Sequence, residues 1–282
     1  MLIRLGYDIQ FDIPAPLAFV AQLRVHPSRH ANLLEPDLLH VESGYGSDIA
    51  IVPSHEYSDT YGNICTRFTA PAGHLRLWNS TLINDSGLPD VVNLDAKEIP
   101  PSDLPDEVLY FLLNSRYCEV DQLSAVALEL FGNVAPGWSR VQAICDWVHS
   151  KVTFNYGMTR PTKTALDVFT ERVGVCRDFQ HLAVTFCRCL NIPARYVAGY
   201  LGDIRVPLRL PMDFSAWFEA YLDGQWYAFD ARNNMPRIGR VLMATGRDAA
   251  DVAFLTSFGG STMTKFYVVS DEVVESPETQ AS

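Results

Sequence analysis

The sequence predicts an α+β fold, in which an N-terminal antiparallel β-sandwich precedes a set of helices packed on a second antiparallel sheet. Three observations lead to this prediction. Short segments with period-two alternation, separated by turn residues, fill roughly the first 90 residues. Apolar residues at helical spacing then recur between residues 104 and 190. Two further strands follow, joined by Asp223-Gly224, which is the strongest short signal for a hairpin.

The β-rich half opens with a well-marked strand. Leu5 to Ile13 alternates apolar and polar residues, so one face of this strand is expected to be buried. Leu17 to Leu23 and Ser47 to Val52 are predicted as further strands, and His74 to Asn84 as a longer one. We expect no catalytic residue in this half.

A change of composition between Ala96 and Glu107 marks a predicted domain boundary. Pro100, Pro101 and Pro105 lie among polar residues there, which is typical of a linker. We therefore expect a β-rich N-terminal domain at residues 1–95 and a second, core domain at residues 96–282.

Composition narrows the range of partners. The net charge of −11 argues against nucleic acid and against anionic membrane surfaces. The six cysteines form no CxxC pair and no zinc-type spacing with histidine, so no metal and no cofactor is predicted. The N-terminus lacks the apolar run of a signal peptide, and no segment approaches the ~20 apolar residues of a membrane span. A cytoplasmic protein is therefore expected, and its oligomeric state cannot be read from the sequence.

The stretch from Arg172 to Leu182 predicts a glycine turn that leads into a helix, with Cys176 in the first helical turn. The apolar residues at helical spacing along it are Phe179, Leu182, Ala183, Phe186 and Leu190. A helix N-terminus favours thiolate over thiol, which is how cysteine nucleophiles are commonly prepared. A lone cysteine is equally well explained as a small buried hydrophobe, so this stretch leaves both interpretations open.

The turn at Asp223-Gly224 fixes the register of the strands that flank it. One face of this hairpin is expected to be core: Phe214, Ala216, Phe218, Ala220, Leu222, Tyr227, Phe229 and Ala231. On the other face Ser215 and Asp230 are diagonal neighbours, ~7–8 Å apart at the backbone. That face is interpreted either as a functional site or as a polar pocket wall on which Glu219 pairs with Arg232.

Several of these stretches together resemble the bacterial transglutaminase-like family of cysteine proteases: residues 174–179, 193–200, 213–221 and 226–232. The first half resembles the β-rich domain that often precedes that family's core. The resemblance implies a papain-like fold in which a cysteine attacks an amide carbonyl, a histidine moves the proton and an aspartate orients the histidine. Matched to this sequence, it assigns Cys176 as the nucleophile and Asp230 as the orienting acid.

The histidine of the family pattern does not carry over. Similar members have histidine directly before the residues that match Ala216-Trp217, and this chain has Ser215 there. A serine hydroxyl has no useful basicity near neutral pH, so it cannot act as the general base. Another base is needed, either Asp230 through a water molecule or a histidine from elsewhere, for which His149 and His181 offer no obvious geometry.

Two functions are therefore weighed. The first is a thiol enzyme that hydrolyses peptide or isopeptide bonds, or transfers acyl groups, through a Cys176 thioester. The second is a catalytically inactive relative that binds a peptide or protein segment in the same cleft. A purely structural protein with an adventitious cysteine is disfavoured, because the resemblance covers both halves of the chain.

Overall fold

The structure is a computed structural model that describes residues 1–158, 160–208 and 211–273. Its strands, in chain order, are β1 (Leu2–Ile13), β2 (Leu17–Ala21), β3 (His40–Ser43), β4 (Ala50–Ile51), β5 (Ser54–Ser58), β6 (Ile64–Ala70), β7 (Gly73–Asn84), β8 (Thr153–Phe154), β9 (Val173–Gly174), β10 (Ala194–Leu201), β11 (Ser215–Leu222), β12 (Gln225–Phe229), β13 (Arg240–Gly246), β14 (Leu255–Ser257) and β15 (Thr262–Glu272). Its α-helices are α1 (Val120–Phe131), α2 (Trp138–Lys151), α3 (Ala165–Glu171) and α4 (Cys176–Cys189). None of the helices in these ranges has the length and apolar character needed to cross a membrane.

The first half is a β-sandwich, as the sequence predicts. One sheet has the strand order β15-β1-β7-β3-β4, and the other has the order β14-β2-β6-β5. The alternating residues of β1 are buried on one face, and Phe11, Phe19 and Phe68 pack ring against ring between the sheets. The strand predicted at Ser47 to Val52 is shorter than expected, because a 3-10 turn over Gly46–Asp48 leaves only the two residues of β4.

The second half packs helices on one face of the sheet β12-β11-β10-β13. The hairpin register matches the prediction, with Leu222 opposite Gln225 and Phe218 opposite Phe229. The face predicted to be core contacts α4 through a shared cluster that includes Phe218, Phe229 and Phe186. The opposite face is also covered, because the 3-10 helix Asp106–Leu112 packs on Tyr221 and Trp226. A sheet that is buried on both faces gives the site a rigid back wall.

Helix α4 is more deeply buried than an amphipathic stripe predicts. Every residue from Asp178 to Arg188 is buried, polar ones included. The buried polar side chains find partners: Arg188 donates to the carbonyl oxygens of Leu113, Ala194 and Arg247. A central helix of this kind is fixed from all sides, so its N-terminus is held in place together with Cys176.

The last strands of the chain return to the N-terminal sandwich. β14 pairs with β2, and β15 runs antiparallel along most of β1. Val268 of β15 and Val241 and Met243 of β13 belong to the same buried cluster as Leu5 and Phe19. The two halves that the composition separates at residue 95 are thus joined by strand pairing and by a shared core.

Candidate active site

A tight turn at Gly174 and Val175, called the elbow below, connects β9 to α4 and places Cys176 at the start of the helix. β9 pairs in parallel with β8, and Gly174 closes the strand just before the helix. The Asp178 carboxylate accepts a hydrogen bond from the Val175 N–H at 3.0 Å, which caps the helix in the place of a side chain at the N-cap. The buried Lys163 ammonium donates to the Val173 carbonyl at 2.7 Å and so fixes the strand that leads into the elbow.

The first turn of α4 places two backbone donors beside the Cys176 sulfur. The first N–H groups of any helix lack an intrahelical acceptor. Here the Val175 carbonyl accepts from Asp178 and Phe179, and the Asp178 side chain takes the Val175 N–H. Within the part of the chain that the structure describes, the Cys176 N–H is left without an acceptor, and the Arg177 N–H is directed at the Cys176 sulfur, where it lowers the pKa of the thiol. These donors can stabilise an oxyanion that forms beside the sulfur.

Cys176 lies at the junction of two cavities. The first, called the polar cavity below, has a volume of about 480 Å³ and a mixed lining whose polar residues include Tyr156, Asp213 and Arg232. The second has a volume of about 320 Å³, and much of its wall is apolar: Tyr196, Ala198, Phe214, Met243, Ala249, Val252, Ala253, Phe254 and Leu255. Cys176 and Ser215 line both. A substrate that spans the junction would place its reacting carbonyl next to the thiol.

The surroundings of Cys176 have opposing effects on the protonation state of its thiol. Its side chain is half-buried and packs against a cluster that contains Tyr196, Ala216 and Val252. This burial raises the pKa of the Cys176 thiol to about 11, and the nearby Arg232 only partly opposes it. Desolvation outweighs the charges that favour a thiolate at the helix N-terminus, so the resting site favours the protonated thiol. The thiol must lose its proton to a base during the reaction.

Ser215 begins β11 opposite Gly199, at the edge of both cavities. Asp213 lies two residues earlier and lines the same two cavities. Burial raises the pKa of the Asp213 carboxyl above its ordinary value, while the Phe214 backbone N–H and Arg232 oppose this shift. Asp213 also interacts electrostatically with Cys176. Asp213 is not among the site residues that the sequence predicts, although its period-two spacing from Ser215 could have indicated it.

Asp230 is buried, and both of its carboxylate oxygens accept hydrogen bonds. Its carboxylate accepts hydrogen bonds from the backbone N–H groups of Arg232 and Asn233 at 3.0 Å, and forms an ion pair with Arg240 at 3.1 Å. The Gln180 side chain of α4 donates to it at 3.1 Å as well. Burial alone would raise the pKa of Asp230, but Arg240 and the Asn233 donors outweigh it and lower the pKa. This arrangement locks the turn that carries Arg232, and it leaves the carboxylate poorly suited to accept a proton.

Two histidines come near the site in different ways. His149 lines the polar cavity, and one ring nitrogen, Nδ1, lies 2.9 Å from the Arg232 carbonyl oxygen. His181 is a buried residue of α4, where it stacks on Tyr117 and its Nε2 accepts the Ala249 N–H. Burial holds the pKa of His181 well below its usual value. His149 is thus a wall residue of the cavity, and His181 is a core residue that lines neither cavity.

Arg232 does not form the ion pair with Glu219 that one interpretation of the hairpin face predicts. Glu219 forms an ion pair with Arg195 of β10 instead. The Arg232 guanidinium stacks over the Phe154 ring, 4.2 Å from the ring centroid. Cross-strand proximity explains the difference, because Arg195 lies directly opposite Glu219 in the sheet.

The acidic, histidine and cysteine residues do not cluster as metal ligands do. In residues 1–158, 160–208 and 211–273, no group of three or more such side chains converges on one point. The groups of the site that can take part in a reaction are its thiol, its carboxylates and its backbone donors.

Comparison with known proteins agrees with this arrangement. The family model of the transglutaminase-like superfamily matches residues 124–231, which include the elbow, Cys176 and the hairpin. A crystal structure from Cytophaga hutchinsonii, described as a "putative cysteine protease", is 30% identical, has a TM-score of 0.82, and covers 98% of this chain and 92% of its own. An uncharacterised protein of Mycobacterium leprae is 30% identical over 208 residues, which is 71% of this chain and 74% of that protein. An uncharacterised protein of Mycobacterium bovis is 26% identical over 214 residues, with 69% and 68% covered.

The fold, with a cysteine at the N-terminus of its central helix, is of the transglutaminase-like class. The chain belongs to the transglutaminase-like superfamily.

Proposed function

We propose that the protein is a thiol enzyme that acts on amide bonds of a peptide or protein substrate, by hydrolysis or by acyl transfer through a Cys176 thioester. The observation that carries the proposal is the position of Cys176, at a helix N-terminus and at the junction of two cavities. A cytoplasmic location and a peptide or protein partner are part of the same proposal.

The proton of the thiol passes to Asp213, directly or through one water molecule. Asp213 shares both cavities with Cys176, and Asp230 is already saturated by its own donors. The sulfur attacks the carbonyl carbon, the oxygen takes the negative charge, and the N–H groups of Cys176 and Arg177 at the start of α4 stabilise it. The proton then moves from Asp213 to the leaving amine, which leaves a thioester for water or an acceptor amine to attack.

Asp230 acts as a positioning residue in this scheme. Its carboxylate holds the backbone of Arg232 and Asn233 and the Arg240 guanidinium, so it keeps the Arg232 side chain beside Cys176. This role differs from the orientation of a histidine, which the family pattern implies for it. It requires only the hydrogen bonds that Asp230 already makes.

The test is to trap the acyl-enzyme. p-Nitrophenyl acetate should transfer one acetyl group to Cys176, found by mass spectrometry of the quenched protein, with a burst of nitrophenol. Cys176→Ala should abolish both signals, and Cys118→Ala, at a buried cysteine outside the cavities, should keep them. Acetylation spread over other side chains and unaffected by Cys176→Ala would contradict the proposal.

Asp213 has its own prediction. Asp213→Asn keeps the shape of the side chain but cannot accept the thiol proton, so we expect the acylation rate to fall by about 100-fold, the usual contribution of a general base. Asp213→Glu should retain part of the rate, and Asp12→Asn, an exposed carboxylate of β1, should change nothing. An unchanged rate in a folded Asp213→Asn variant would exclude Asp213 as the base.

The second candidate function is a non-catalytic cleft that binds a peptide or protein segment. Two observations favour it: Ser215 at the position where the family pattern has histidine, and the high pKa of the Cys176 thiol. In that case Cys176→Ala would bind the same peptides as the natural chain, and neither protein would form an acyl-enzyme.

A further inference from the structure

Arg232 carries an unused set of hydrogen-bond donors into the polar cavity. A guanidinium offers five N–H donors and stays charged at any working pH. Among the residues that the structure describes, no carboxylate oxygen lies within 4.0 Å of Arg232, and its side chain donates no hydrogen bond. Its single side-chain contact of note is the stacking on Phe154. Stacking fixes the plane of the group but satisfies none of its N–H donors.

The neighbouring arginines differ from Arg232 in this respect. Arg237, which also lines the polar cavity, is buried and pairs with Asp203 at 3.0 Å through Nη2, although its Nε has no partner among the described residues. Arg240 pairs with Asp90 and Asp230. The remaining charged groups around the polar cavity are Asp213 and the titratable His149 and Tyr156. Among the described residues that line this cavity, Arg232 is therefore the arginine with neither an ion pair nor a side-chain hydrogen bond.

The position of Arg232 relative to the thiol is fixed. Its backbone N–H is held by Asp230, and its carbonyl oxygen lies 2.9 Å from His149 Nδ1. Its charge acts on Cys176, on Asp213 and on Tyr156 at once. The donors are thus presented beside the reacting sulfur, on the polar side of the junction, while the other side opens into the largely apolar cavity.

We propose that Arg232 binds a carboxylate of the substrate, so that the site selects peptides with an acidic group on one side of the scissile amide and an apolar group on the other. This proposal rests on the proposed function, because the bound carboxylate belongs to a substrate only if the protein is the thiol enzyme proposed above. Binding of a planar carboxylate by a guanidinium is bidentate and directional, which gives the substrate one register across the thiol. The apolar cavity, which includes Met243, Val252 and Phe254, accepts the opposite group.

The experiment compares two alkylating reagents of nearly the same shape, iodoacetate with a carboxylate and iodoacetamide with a neutral amide. Both react with the same thiolate, so the ratio of their rates at one pH cancels the pKa of Cys176. In the native protein at pH 9 we expect this ratio at Cys176, mapped by peptide mass spectrometry, to be about tenfold above that of the unfolded protein, as a charge-assisted hydrogen bond implies.

Variants assign the effect to Arg232. Arg232→Met should return the ratio to the unfolded value, and Arg232→Lys should keep part of it. Arg67→Met, at an exposed arginine of β6, should leave it unchanged. A native ratio equal to the unfolded one, or a raised ratio that survives Arg232→Met because the helix N-terminus attracts the anion, would overturn the proposal.

The result separates the two proposals. Alkylation needs no turnover, so a raised and Arg232-dependent ratio without an acyl-enzyme would keep the carboxylate site and reject the enzyme. An acyl-enzyme with a flat ratio would keep the enzyme and reject Arg232 as its selector. N-acetylaspartate and N-acetylasparagine complete the test as protectants of Cys176 against iodoacetamide: only the acid should slow labelling, and equal protection by both would count against a carboxylate site.

Discussion

Cys176 shows how burial and charge compete at one residue. A helix N-terminus and Arg232 both favour the thiolate, yet the largest effect is the desolvation of the sulfur, and the pKa rises to about 11. The helix N-terminus also already holds the Asp178 carboxylate, which uses one of its donors. A thiol in this state reacts slowly as a nucleophile until a substrate and a base are present.

This balance predicts a slow and pH-dependent labelling of the resting protein. A folded pKa of about 11 lies above the ordinary thiol value of ~8.5, so the thiolate fraction at pH 8 should be about two orders of magnitude smaller than in the unfolded chain. The iodoacetamide rate at Cys176 should then rise about tenfold per pH unit up to pH 11. The measurement is a pH series with the unfolded protein as control. A plateau below pH 8 would show a low pKa instead.

Ser215 gives a second prediction at the same scale. Ser215→His places an imidazole at the start of β11, where it lines both cavities with Cys176. We expect acylation by p-nitrophenyl acetate to become at least about 10-fold faster, because a general base contributes about 10²–10⁴-fold to a rate. The rate should also rise with pH around the ordinary histidine pKa of ~6.5, as the imidazole loses its proton. Ser215→Asn is the control without basicity. Equal rates in both folded variants would mean that the site lacks more than a histidine.

Residue roles were the part of the site that the sequence could indicate only incompletely. Cys176 and Ser215 follow from pattern and resemblance, because both lie in short local motifs. Asp213 and the free guanidinium of Arg232 do not, since their meaning depends on which cavity they line and on which acid pairs elsewhere. Glu219 is an example. It forms its ion pair with Arg195 and not with Arg232, because β10 pairs with β11 and places Arg195 directly opposite Glu219.

At the scale of elements, the elbow before α4 determines where the thiol lies. Gly174 approaches the capping residue so closely that a Cβ built on it would lie 2.6 Å from the Asp178 Cβ and 2.9 Å from an Asp178 carboxylate oxygen. No real side chain fits there without a shift of the helix start. The glycine is thus required by close packing, because its backbone conformation is an ordinary one for other residues.

Gly174→Ala should therefore damage both stability and acylation. We expect the free energy of unfolding to fall by about 1–3 kcal/mol, the usual cost of overpacking, with a clear loss of acetyl transfer to Cys176. Denaturant unfolding and the mass assay measure the two effects. Gly260→Ala is the matched control, because nothing lies within 4 Å of its added Cβ. A Gly174→Ala variant with natural stability and acylation would show that the elbow is more adaptable than its contacts suggest.

The elements themselves were predicted well where the signal is local. The dipeptide Asp223-Gly224 fixes the register of β11 and β12, and the alternation of β1 predicts its buried face. β13, β14 and β15 were not predicted. β15 lies at a sheet edge with most of its side chains exposed, and its partner β1 is some 260 residues away, so neither alternation nor sequence distance marks it.

At the scale of the whole molecule, the late strands connect the sandwich to the site. β15 pairs with β1 of the N-terminal half, and its Ser270 N–H contacts the Met212 sulfur at 3.0 Å. Phe214, which lies between Asp213 and Ser215, packs at once against Tyr7 of β1, Tyr200 of β10 and Phe266 of β15. The wall of the active site is therefore supported by rings from both halves of the chain.

This connection predicts that a substitution in β15 changes the reactivity of the Cys176 thiol. Phe266 is half-buried and its ring centroid lies 5.9 Å from that of Phe214. Phe266→Ala should lower the free energy of unfolding by about 2 kcal/mol, below the full cost of a buried phenylalanine, and should slow acetyl transfer to Cys176, because Asp213 and Ser215 lose their support. Tyr267→Ala, one residue on and exposed on the other face, is the control for both measurements. If the two variants lost equal stability, or if Phe266→Ala lost stability but kept the natural acylation rate, then β15 would support the sandwich alone, and the site wall would be held by the second half by itself.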